Sequence, residues 1–472
     1  MKSKQVTTLK EAIQLAGLKD GMTVSFHHHL RNGDYVLNMV MDEIADLGIK
    51  DLTLSASSVF DTHMPLIDHI GNHVVSTIQT NYMAAGVGKA ISQGILNNPV
   101  QFRTHGGRPS DIALGRMPID VAFIAAPACD PMGNCSGKYG PSACGSLGYA
   151  VPDAMYAKKV VIITDNLVPY PLTDFTIPES YVDYVVTVDA IGNPKGIVSG
   201  TTRITRDPVG LVMASYAAKV IEASGLLKDG FSFQTGAGGA SLAAAKFLKD
   251  IMLEKNIKGS FGLGGITGYM VDMLRAGCFQ KLMDVQCFDL TAVESIRTDP
   301  RHQEISAIHY ASPSHRSAAV DSLDVVILGA TEIDTNFNVN VHTDSNGYIM
   351  GGSGGHSDTA AGAQLSMIIA PMFRARMPIV TDQVTCVSTP GKDIDVLVTQ
   401  GGIAVNPKNV ELIANLKAAN LPVIDIHELK EKTERITGKP KAIRKGDRPV
   451  AHVLNRNGDL QDIIYNIPGM PG

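Results

Sequence analysis

The stretch 118–134, PIDVAFIAAPACDPMGN, contains a continuous apolar run that ends in an aspartate-containing turn. A run of this kind is typical of a strand that is buried on both faces of a sheet. The same pattern returns about 200 residues later as SLDVVILGATEIDTNFN, residues 322–338. The two stretches therefore predict one buried strand in each half of the chain, followed by similar turns.

Two further pairs of segments repeat in the same order. GLKDGMTVSFHHHLRNGD (17–34) is matched by GLLKDGFSFQTGAGGAS (225–241), and YVDYVVTVDAIGNP (181–194) by DIDVLVTQGGIAVNP (393–407). This spacing is far longer than that of a solenoid repeat, and it indicates two copies of one domain.

Helical patterns at 35–47 and 268–277 lie between the strand-like runs and predict βαβ units. We therefore predict an α/β fold of two tandem, similar domains, residues 1–224 and 225–472. Each is expected to be an open, mostly parallel sheet flanked by helices.

Composition excludes several classes of protein. The net charge is −5 and 6% of residues are aromatic, with no Trp, which disfavours a nucleic-acid partner. No apolar run reaches the roughly 18 residues of a membrane span, and the N-terminal segment lacks the apolar core of a signal peptide. The six cysteines lie among apolar or glycine-rich residues, which predicts buried thiols in a reducing, cytoplasmic compartment.

Four loops rich in glycine or histidine are expected to follow strands, where α/β sheets bind ligands. They are HHHLRNG (27–33), TGAGGAS (235–241), FGLGGITG (261–268) and GGSGGHSD (351–358). None matches a nucleotide motif, since Thr267 occupies the third glycine position of the dinucleotide fingerprint. The glycines serve tight turns, or they leave the backbone N–H groups of Gly264, Gly265, Gly354 and Gly355 open to an oxyanion.

Cationic and titratable groups cluster in two of the quoted segments. His28, His29 and Arg31 follow the first strand, and Arg103, His105 and Arg108 lie in FRTHGGRPSD. They are expected to bind a polyanionic substrate, because an arginine fork matches a carboxylate. The alternatives are surface ion pairs for the arginines and a mixture of buried and solvated rings for the histidines. We predict no metal site, since three neighbouring histidines and irregularly spaced cysteines suit one poorly.

Four segments together resemble the citrate lyase alpha subunit family of the acyl-CoA transferase superfamily. They are SFHHHLRNGDY (25–35), RTHGGRPSDIALGRMPIDVAFIAAPACDPMGN (103–134), residues 259–268 and residues 393–407. The resemblance covers essentially the whole chain. It implies the tandem α/β fold and transfer of an acyl carrier, in which acetyl-carrier protein and citrate become citryl-carrier protein and acetate. Acetyl-CoA is expected as an alternative thioester.

The resemblance also implies partners and site residues. A beta subunit, an acyl carrier (gamma) subunit and a larger oligomeric complex are expected, with no tightly bound cofactor besides the carrier's CoA-like thioester arm. Gly264 is aligned with the catalytic glutamate of related transferases, which implies a mixed anhydride and no covalent enzyme intermediate. Gly265, Gly354 and Gly355 are expected to assist catalysis. The expected substrate-binding residues are His28, His29, Arg31, Arg108 and Asn134, and the alternative nucleophiles are Glu294 and Glu332.

Three other functions remain open at this point: transfer to citramalate or another hydroxy acid, sugar-phosphate isomerisation, and a non-catalytic scaffold. The basic segment KEKTERITGKPKAIRKGDR (430–448) is interpreted as a solvated helix face and linker or as a docking surface for an acidic carrier protein.

Overall fold

The computed structural model of the chain describes residues 3–198, 204–440 and 442–468. The strands of the first half are β1 (Gln5–Val6), β2 (Thr23–Phe26), β3 (Leu52–Ala56), β4 (Val75–Thr80), β5 (Val100–Phe102), β6 (Val121–Ala125), β7 (Ala128–Cys129), β8 (Cys135–Ser136), β9 (Lys159–Thr164) and β10 (Tyr184–Thr187). Those of the second half are β11 (Ser232–Thr235), β12 (Gly259–Ile266), β13 (Phe279–Cys287), β14 (His302–Glu304), β15 (Val325–Leu328), β16 (Glu332–Asp334), β17 (Val339–Asn340), β18 (Leu365–Ile369), β19 (Phe373–Arg374), β20 (Met377–Pro378), β21 (Val380–Thr381), β22 (Val396–Thr399), β23 (Gly402–Val405), β24 (Pro449–Leu454) and β25 (Leu460–Tyr465).

The helices are α1 (Leu9–Leu15), α2 (Val36–Asp46), α3 (Leu66–Gly71), α4 (Ala85–Ser92), α5 (Gly107–Ala113), α6 (Val151–Tyr156), α7 (Pro208–Ala223), α8 (Gly239–Glu254), α9 (Gly268–Arg275), α10 (Leu290–Thr298), α11 (Ala307–Ala311), α12 (His356–Gly362), α13 (Val410–Ala418) and α14 (Ile426–Thr437). The predicted helices at 35–47 and 268–277 are confirmed as α2 and α9. No helix in the described ranges is long and apolar enough to cross a bilayer.

Two large sheets carry the same strand order. The first is β1-β10-β9-β6-β2-β3-β4-β5-β24-β25, and the second, from the corresponding edge, is β23-β22-β18-β15-β11-β12-β13-β14. Only the pairs β24–β25 and β22–β23 are antiparallel within these sheets. The order β10-β9-β6-β2-β3-β4-β5 thus maps onto β22-β18-β15-β11-β12-β13-β14, and the predicted α/β fold with tandem, mostly parallel sheets is confirmed.

The last hairpin differs from the expected division of the chain. Strands β24 and β25 were assigned to a second domain of residues 225–472, but β24 pairs with β5 and extends the first sheet. A hairpin can join the exposed edge of another sheet because an edge strand offers unpaired N–H and C=O groups. The hairpin therefore ties the end of the chain to the first half.

The repeated turns are alike in atomic detail. Asp130 Oδ1 accepts from the amide of Asn134 and Asp130 Oδ2 from its side chain. Asp334 Oδ1 and Oδ2 accept from Asn338 in the same way. An aspartate that bonds backbone N–H groups a few residues ahead stabilises a tight turn. The sequence repeat therefore encodes a structural repeat, a buried strand followed by an aspartate-closed hairpin.

One predicted loop is a strand instead. Gly264 and Gly265 lie inside β12, where the register with β13 shifts between them. This β-bulge redirects the backbone within the sheet. All six cysteines are buried free thiols, as their surroundings predict.

Candidate active site between the two halves

The histidine run begins where β2 ends, at a point that favours ligand binding. Strand β2 lies between β3 and β6, and the order of the strands reverses there, since β3 to β5 follow on one side and β6, β9 and β10 on the other. A crevice opens at such a switch point, at the carboxyl ends of the strands. His27, His28 and His29 are all buried there, with exposures of 8%, 4% and 1%.

Burial keeps these rings neutral, which differs from the expectation that they act as cations. Burial lowers the pKa of His27 to about 4, and it lowers the pKa values of His28 and His29 well below the ordinary range. Nδ1 of His29 hydrogen bonds with Nδ1 of His27. Nε2 of His29 accepts a hydrogen bond from the Tyr149 amide over 3.3 Å. His29 is thus part of the internal scaffold rather than a free substrate ligand.

His28 belongs to a stack of rings. Its ring centroid is 4.8 Å from that of Tyr149 and 5.7 Å from that of His105. His28 Nδ1 pairs with Ser57 Oγ at 2.7 Å. His105 is also neutral, because burial lowers its pKa to about 3, and its Nδ1 is buried without a protein partner. His28 and His105 can therefore act as neutral hydrogen-bonding groups.

Among the described residues, Arg31 has no carboxylate partner. Its guanidinium carbon lies 5.5 Å from the ring centroid of Phe60 and 4.9 Å from that of Phe288. Two aromatic faces stabilise a cation without neutralising it. Arg31 adopts φ 52°, which is unusual for a residue with a side chain, and its Nη1 is buried with no protein acceptor. These features suit the capture of an anion.

The second half presents the Gly264–Gly265 bulge to the same region. A Cβ atom on Gly265 would lie 2.3 Å from the Phe288 ring, so only glycine fits beside that aromatic side chain. Gln286 pairs with Gly265 across the sheet and donates from Nε2 to the His28 carbonyl oxygen over 2.9 Å. The bulge of the second half is thereby joined directly to the histidine loop of the first.

The space beside Gly264 is filled by Gln234 of β11. Gly264 has φ +109°, and a Cβ atom there would lie 2.7 Å from Cδ of Gln234. Gln234 donates from Nε2 to Tyr310 Oη over 3.0 Å, while its Oε1 is buried without a partner. A carboxamide thus occupies the position that was expected to be a carboxylate-sized gap.

The Gly354–Gly355 pair completes the site. His105 donates its amide to Gly354 O over 2.7 Å, and a Cβ atom on Gly355 would lie 2.5 Å from Tyr310 Oη. The Gly354 amide is occupied, because it donates to Asn81 O. The described residues supply no acceptor for the Gly355 amide, which makes Gly355 the better oxyanion donor of the two.

Asp358 fixes the loop that carries His105 against the loop that carries Gly354 and Gly355. Its carboxylate accepts from Thr104 Oγ1 at 2.7 Å and from the Gly106 amide at 2.8 Å. The Arg456 Nε atom lies 3.9 Å away. Because Thr104 and Gly106 flank His105, Asp358 positions this histidine against Gly354.

The structure does not bring Arg108 to the site as a free cation. Arg108 is 3% exposed, and its guanidinium binds Asp153 through two bonds of 2.8 and 3.0 Å. A bidentate pair of this kind satisfies most of the arginine's donors. The geometry supports a structural role for Arg108, in contrast to the predicted substrate contact.

The side chain of Asn134 is also engaged within the protein. It donates from Nδ2 to Asp130 and Glu179 and accepts the Glu179 amide at Oδ1. Its counterpart Asn338 closes the equivalent turn of the second half. The repeat thus explains Asn134 as a turn residue, and no hydrogen bond between described residues joins it to His28 or Gly264.

The family model described as "Citrate lyase, alpha subunit (CitF)" matches residues 2–467. The chain belongs to this family. The citrate lyase alpha chain of Haemophilus influenzae is 50% identical over 464 residues, which cover 98% of this chain and 93% of that one. The alpha chain of Klebsiella pneumoniae is 50% identical over 460 residues, covering 98% and 91%. The chain is therefore an enzyme subunit, as predicted.

Solved structures agree with this assignment. A crystal structure of the putative citrate lyase alpha subunit of Streptococcus mutans, in complex with citrate, has a TM-score of 0.97 and 50% identity, covering 99% of this chain and 92% of that one. A malonate decarboxylase alpha subunit from Acinetobacter baumannii has a TM-score of 0.70 at 16% identity, covering 92% and 88%. The latter likeness shows a shared fold.

Neither alternative nucleophile contacts the site of this citrate lyase family member. Glu294 lies on α10 and pairs with Arg297 at the surface, with 54% of its side chain exposed. Glu332 is buried, and its carboxylate accepts from Asn340 Nδ2 and from the amide and hydroxyl of Thr385. It lines a separate cavity of about 480 Å³.

A buried group of metal-ligating types lies next to the bulge. Asp284, Cys287 and His302 bring ligand atoms within 4.8 Å of one another. The group is already hydrogen bonded, since Asp284 Oδ2 contacts His302 Nε2 at 2.9 Å and His302 Nδ1 contacts Ser295 Oγ at 3.0 Å. Asp284 Oδ1 also accepts the Gln286 amide at 2.7 Å. The network therefore orients Gln286 in this family member.

Four site residues lie outside the residues predicted from the sequence: Gln234, Tyr149, Tyr310 and Asp358. Gln234 is in a repeated segment, directly before the TGAGGAS loop, and position 234 corresponds to the end of β2 in the first half. That correspondence was the available signal. Tyr149, in the turn before α6, and Tyr310, in α11, carry no sequence pattern of their own, because distant parts of the chain bring them to the site.

Proposed function

We propose that the chain transfers the thioester of an acyl carrier from acetate to citrate, converting acetyl-carrier and citrate into citryl-carrier and acetate. The convergence of Arg31, the Gly264–Gly265 bulge and Gly355 at one interface carries this proposal. The groups that meet there are backbone amides, a carboxamide, phenols, imidazoles and a guanidinium. Citrate itself is proposed to supply the nucleophilic carboxylate.

The nearby aspartates have other functions in this arrangement. Asp358 accepts hydrogen bonds that hold the His105 loop, and Asp284 accepts bonds from His302 and Gln286. Asp284 is the β13 partner of Gly264, and both of its carboxylate oxygens are engaged by these groups. Arg31 is proposed to hold the trianion.

The proposed chemistry proceeds in two displacements. A citrate carboxylate oxygen attacks the acetyl carbonyl carbon, and the C–S bond breaks. The carrier thiolate is released, and a citric–acetic anhydride is formed. The same thiolate then attacks the citryl carbonyl, and acetate leaves with the bridging oxygen. The Gly355 amide is proposed to stabilise the oxyanion, an effect typically worth about 3–4 kcal/mol per donor. Alignment of the two reactants is worth about 7–11 kcal/mol.

Citrate is favoured over citramalate by one observation. The Streptococcus mutans relative, which is 50% identical and has a TM-score of 0.97, was crystallised with citrate. We accordingly propose citrate and acetate as the exchanged acids, and a CoA-like thioester arm on a carrier subunit as the group carrier. A beta subunit that cleaves the citryl thioester is the proposed partner in a larger complex.

An oxygen-transfer experiment tests the mechanism. In a single turnover with an acetyl thioester and citrate labelled with ¹⁸O in its carboxylates, the released acetate is expected to contain one ¹⁸O atom. Incubation with acetyl-CoA alone is expected to leave the protein mass unchanged. Unlabelled acetate, or a glutamyl adduct mapped to Glu332 or Glu294, would show that the protein supplies its own nucleophile. A panel of hydroxy acids in the same assay tests the choice of citrate.

A further inference from the structure

A large cleft lies outside the proposed transfer site. It has a volume of about 960 Å³ and lies between the loop 345–348, the turn after β19 and the segment that follows α14. This volume is within the range of small-molecule sites, about 300–1,000 Å³. We call it the basic cleft, for the four cations that line it: Arg376, Lys439, Arg444 and Lys445.

The described lining of the basic cleft carries cations and no carboxylate, and the nearest carboxylates, Glu332, Asp382 and Asp462, line the adjoining cavity that shares Lys445. Ion pairs nearby involve Lys430 and Arg435 of α14, whereas the described part of the chain offers no carboxylate partner to Arg376 or Arg444. Four cations around one cavity repel each other unless an anion binds between them. The basic cleft is thus suited to a ligand with several negative charges.

The backbone holds one of these cations in an uncommon conformation. Ala375 and Arg376 form the two-residue turn between β19 and β20, with φ values of 47° and 66°. Turns with two positive φ values normally use Asn and Gly, so Ala and Arg are strained there. This strained backbone thus belongs to a residue that lines the basic cleft.

The remaining wall is apolar and aromatic. Tyr348, Met377, Ile443 and Pro468 line the same cavity. A ligand that combines phosphates with an organic, stackable part would match both kinds of wall, because arginine forks bind phosphate and aromatic rings pack against planar groups. Inorganic anions alone would leave the apolar wall uncovered.

We propose that the basic cleft binds the phosphate-bearing end of a CoA-like thioester arm. This inference rests on the proposed function, because it names where the thioester substrate is anchored. Tyr348 of the cleft and Gly354 of the transfer site are on the same loop, six residues apart. Six residues span at most about 20 Å, a distance that an extended pantetheine chain can bridge.

A comparison of thioesters with and without phosphates tests the site. Binding of CoA and of pantetheine to the full chain is measured by calorimetry for the wild type, for Arg376→Ala and Arg444→Ala, and for the control Arg435→Ala. Arg435 is an exposed arginine of α14 that pairs with Glu431. Each cleft variant is expected to weaken CoA binding about tenfold or more, as a lost charge-assisted bond does, and to reduce the preference for CoA over pantetheine. Arg435→Ala is expected to keep that preference.

A second binding experiment shows whether the cleft binds the thioester arm or the carrier protein itself. The isolated carrier subunit is compared with and without its thioester arm, and the two cleft variants are expected to weaken binding only of the arm-bearing form. Equal weakening of both forms would make the basic cleft a protein-docking surface and overturn the proposal. Unchanged CoA binding in both variants would overturn it as well. These binding results stand even if wild-type protein fails to transfer acetyl groups to citrate, so the two proposals fail separately.

Discussion

The guanidinium of Arg31 lies 4.9 Å from the ring centroid of Phe288, and this contact joins the first half of the chain to the second at the proposed transfer site. Phe288 also lies where a side chain on Gly265 would have to be. One aromatic ring thus supports the cation and enforces the glycine. Because Phe288 contacts both Arg31 and Gly265, a change in the bulge is expected to move Arg31 and so to alter substrate binding.

Arg31→Ala is expected to raise the KM for citrate by about 10-fold to 100-fold, since hydrogen bonds to charged groups contribute about 1.5–3 kcal/mol. The variant also loses the contacts with the Phe60 and Phe288 rings, so the free energy of unfolding is expected to fall by about 1–2 kcal/mol. Steady-state kinetics with varied citrate, together with urea unfolding, measure both quantities. An unchanged citrate KM would remove Arg31 from the anion site.

Arg108→Ala is expected to act mainly on stability. It leaves the Asp153 carboxylate buried without its bidentate partner, and such a loss typically costs about 3–5 kcal/mol. The double variant Arg108→Met with Asp153→Leu should recover much of this stability, because it removes both charges. Denaturant unfolding checks the prediction. A stable Arg108→Ala protein that had lost citrate binding would instead restore the substrate contact predicted from the sequence.

Gly355→Ala is expected to abolish most of the transfer activity, because the new methyl group would lie 2.5 Å from Tyr310 Oη and displace the loop. Tyr310→Phe removes that oxygen, and the double variant should regain activity relative to Gly355→Ala alone. Activity of the four proteins, including both single variants, gives the coupling between the two positions. Additive effects would show that the contact is not what requires glycine.

Gln234→Glu is expected to weaken citrate use strongly while Gln234→Leu, a neutral control of similar volume, has the smaller effect. The new carboxylate would face the space beside Gly264 and repel a trianion, and two like charges 4 Å apart repel by about 4 kcal/mol near a protein surface. The citrate KM of the two variants gives the comparison. If Gln234→Glu were the better enzyme, the site beside Gly264 would not hold citrate.

Asp358 is expected to make stability depend on pH. Burial raises the pKa of its carboxyl to about 6, so the folded protein favours the protonated form. The stability that this group contributes is fully present below pH 3.8 and is lost as the pH rises through about 6, a total of about 3 kcal/mol. Asp358→Asn cannot ionise, so its free energy of unfolding should increase relative to the wild type between pH 4 and pH 7. Parallel pH profiles of the two proteins would contradict this account.

The fold and one part of the site follow from local sequence. Buried strands and aspartate-closed turns recur in both halves because their apolar runs and turn residues specify them over a few neighbouring positions. This repetition predicts two sheets of the same order, and the histidine and glycine segments at the strand ends predict where ligands bind. The glycine pairs 264–265 and 354–355 could be found this way, because only glycine fits a close approach.

The tertiary structure alone decided which of these residues are available for chemistry. Arg31 and Arg108 are the same residue type in similar polar segments. Asp153, which lies 45 residues from Arg108, neutralises Arg108, whereas no carboxylate in the described ranges pairs with Arg31. The same burial that assembles the ring stack turns His28 and His105 into neutral groups. Ion pairing and desolvation depend on neighbours that are distant in the chain, so no local pattern specifies them.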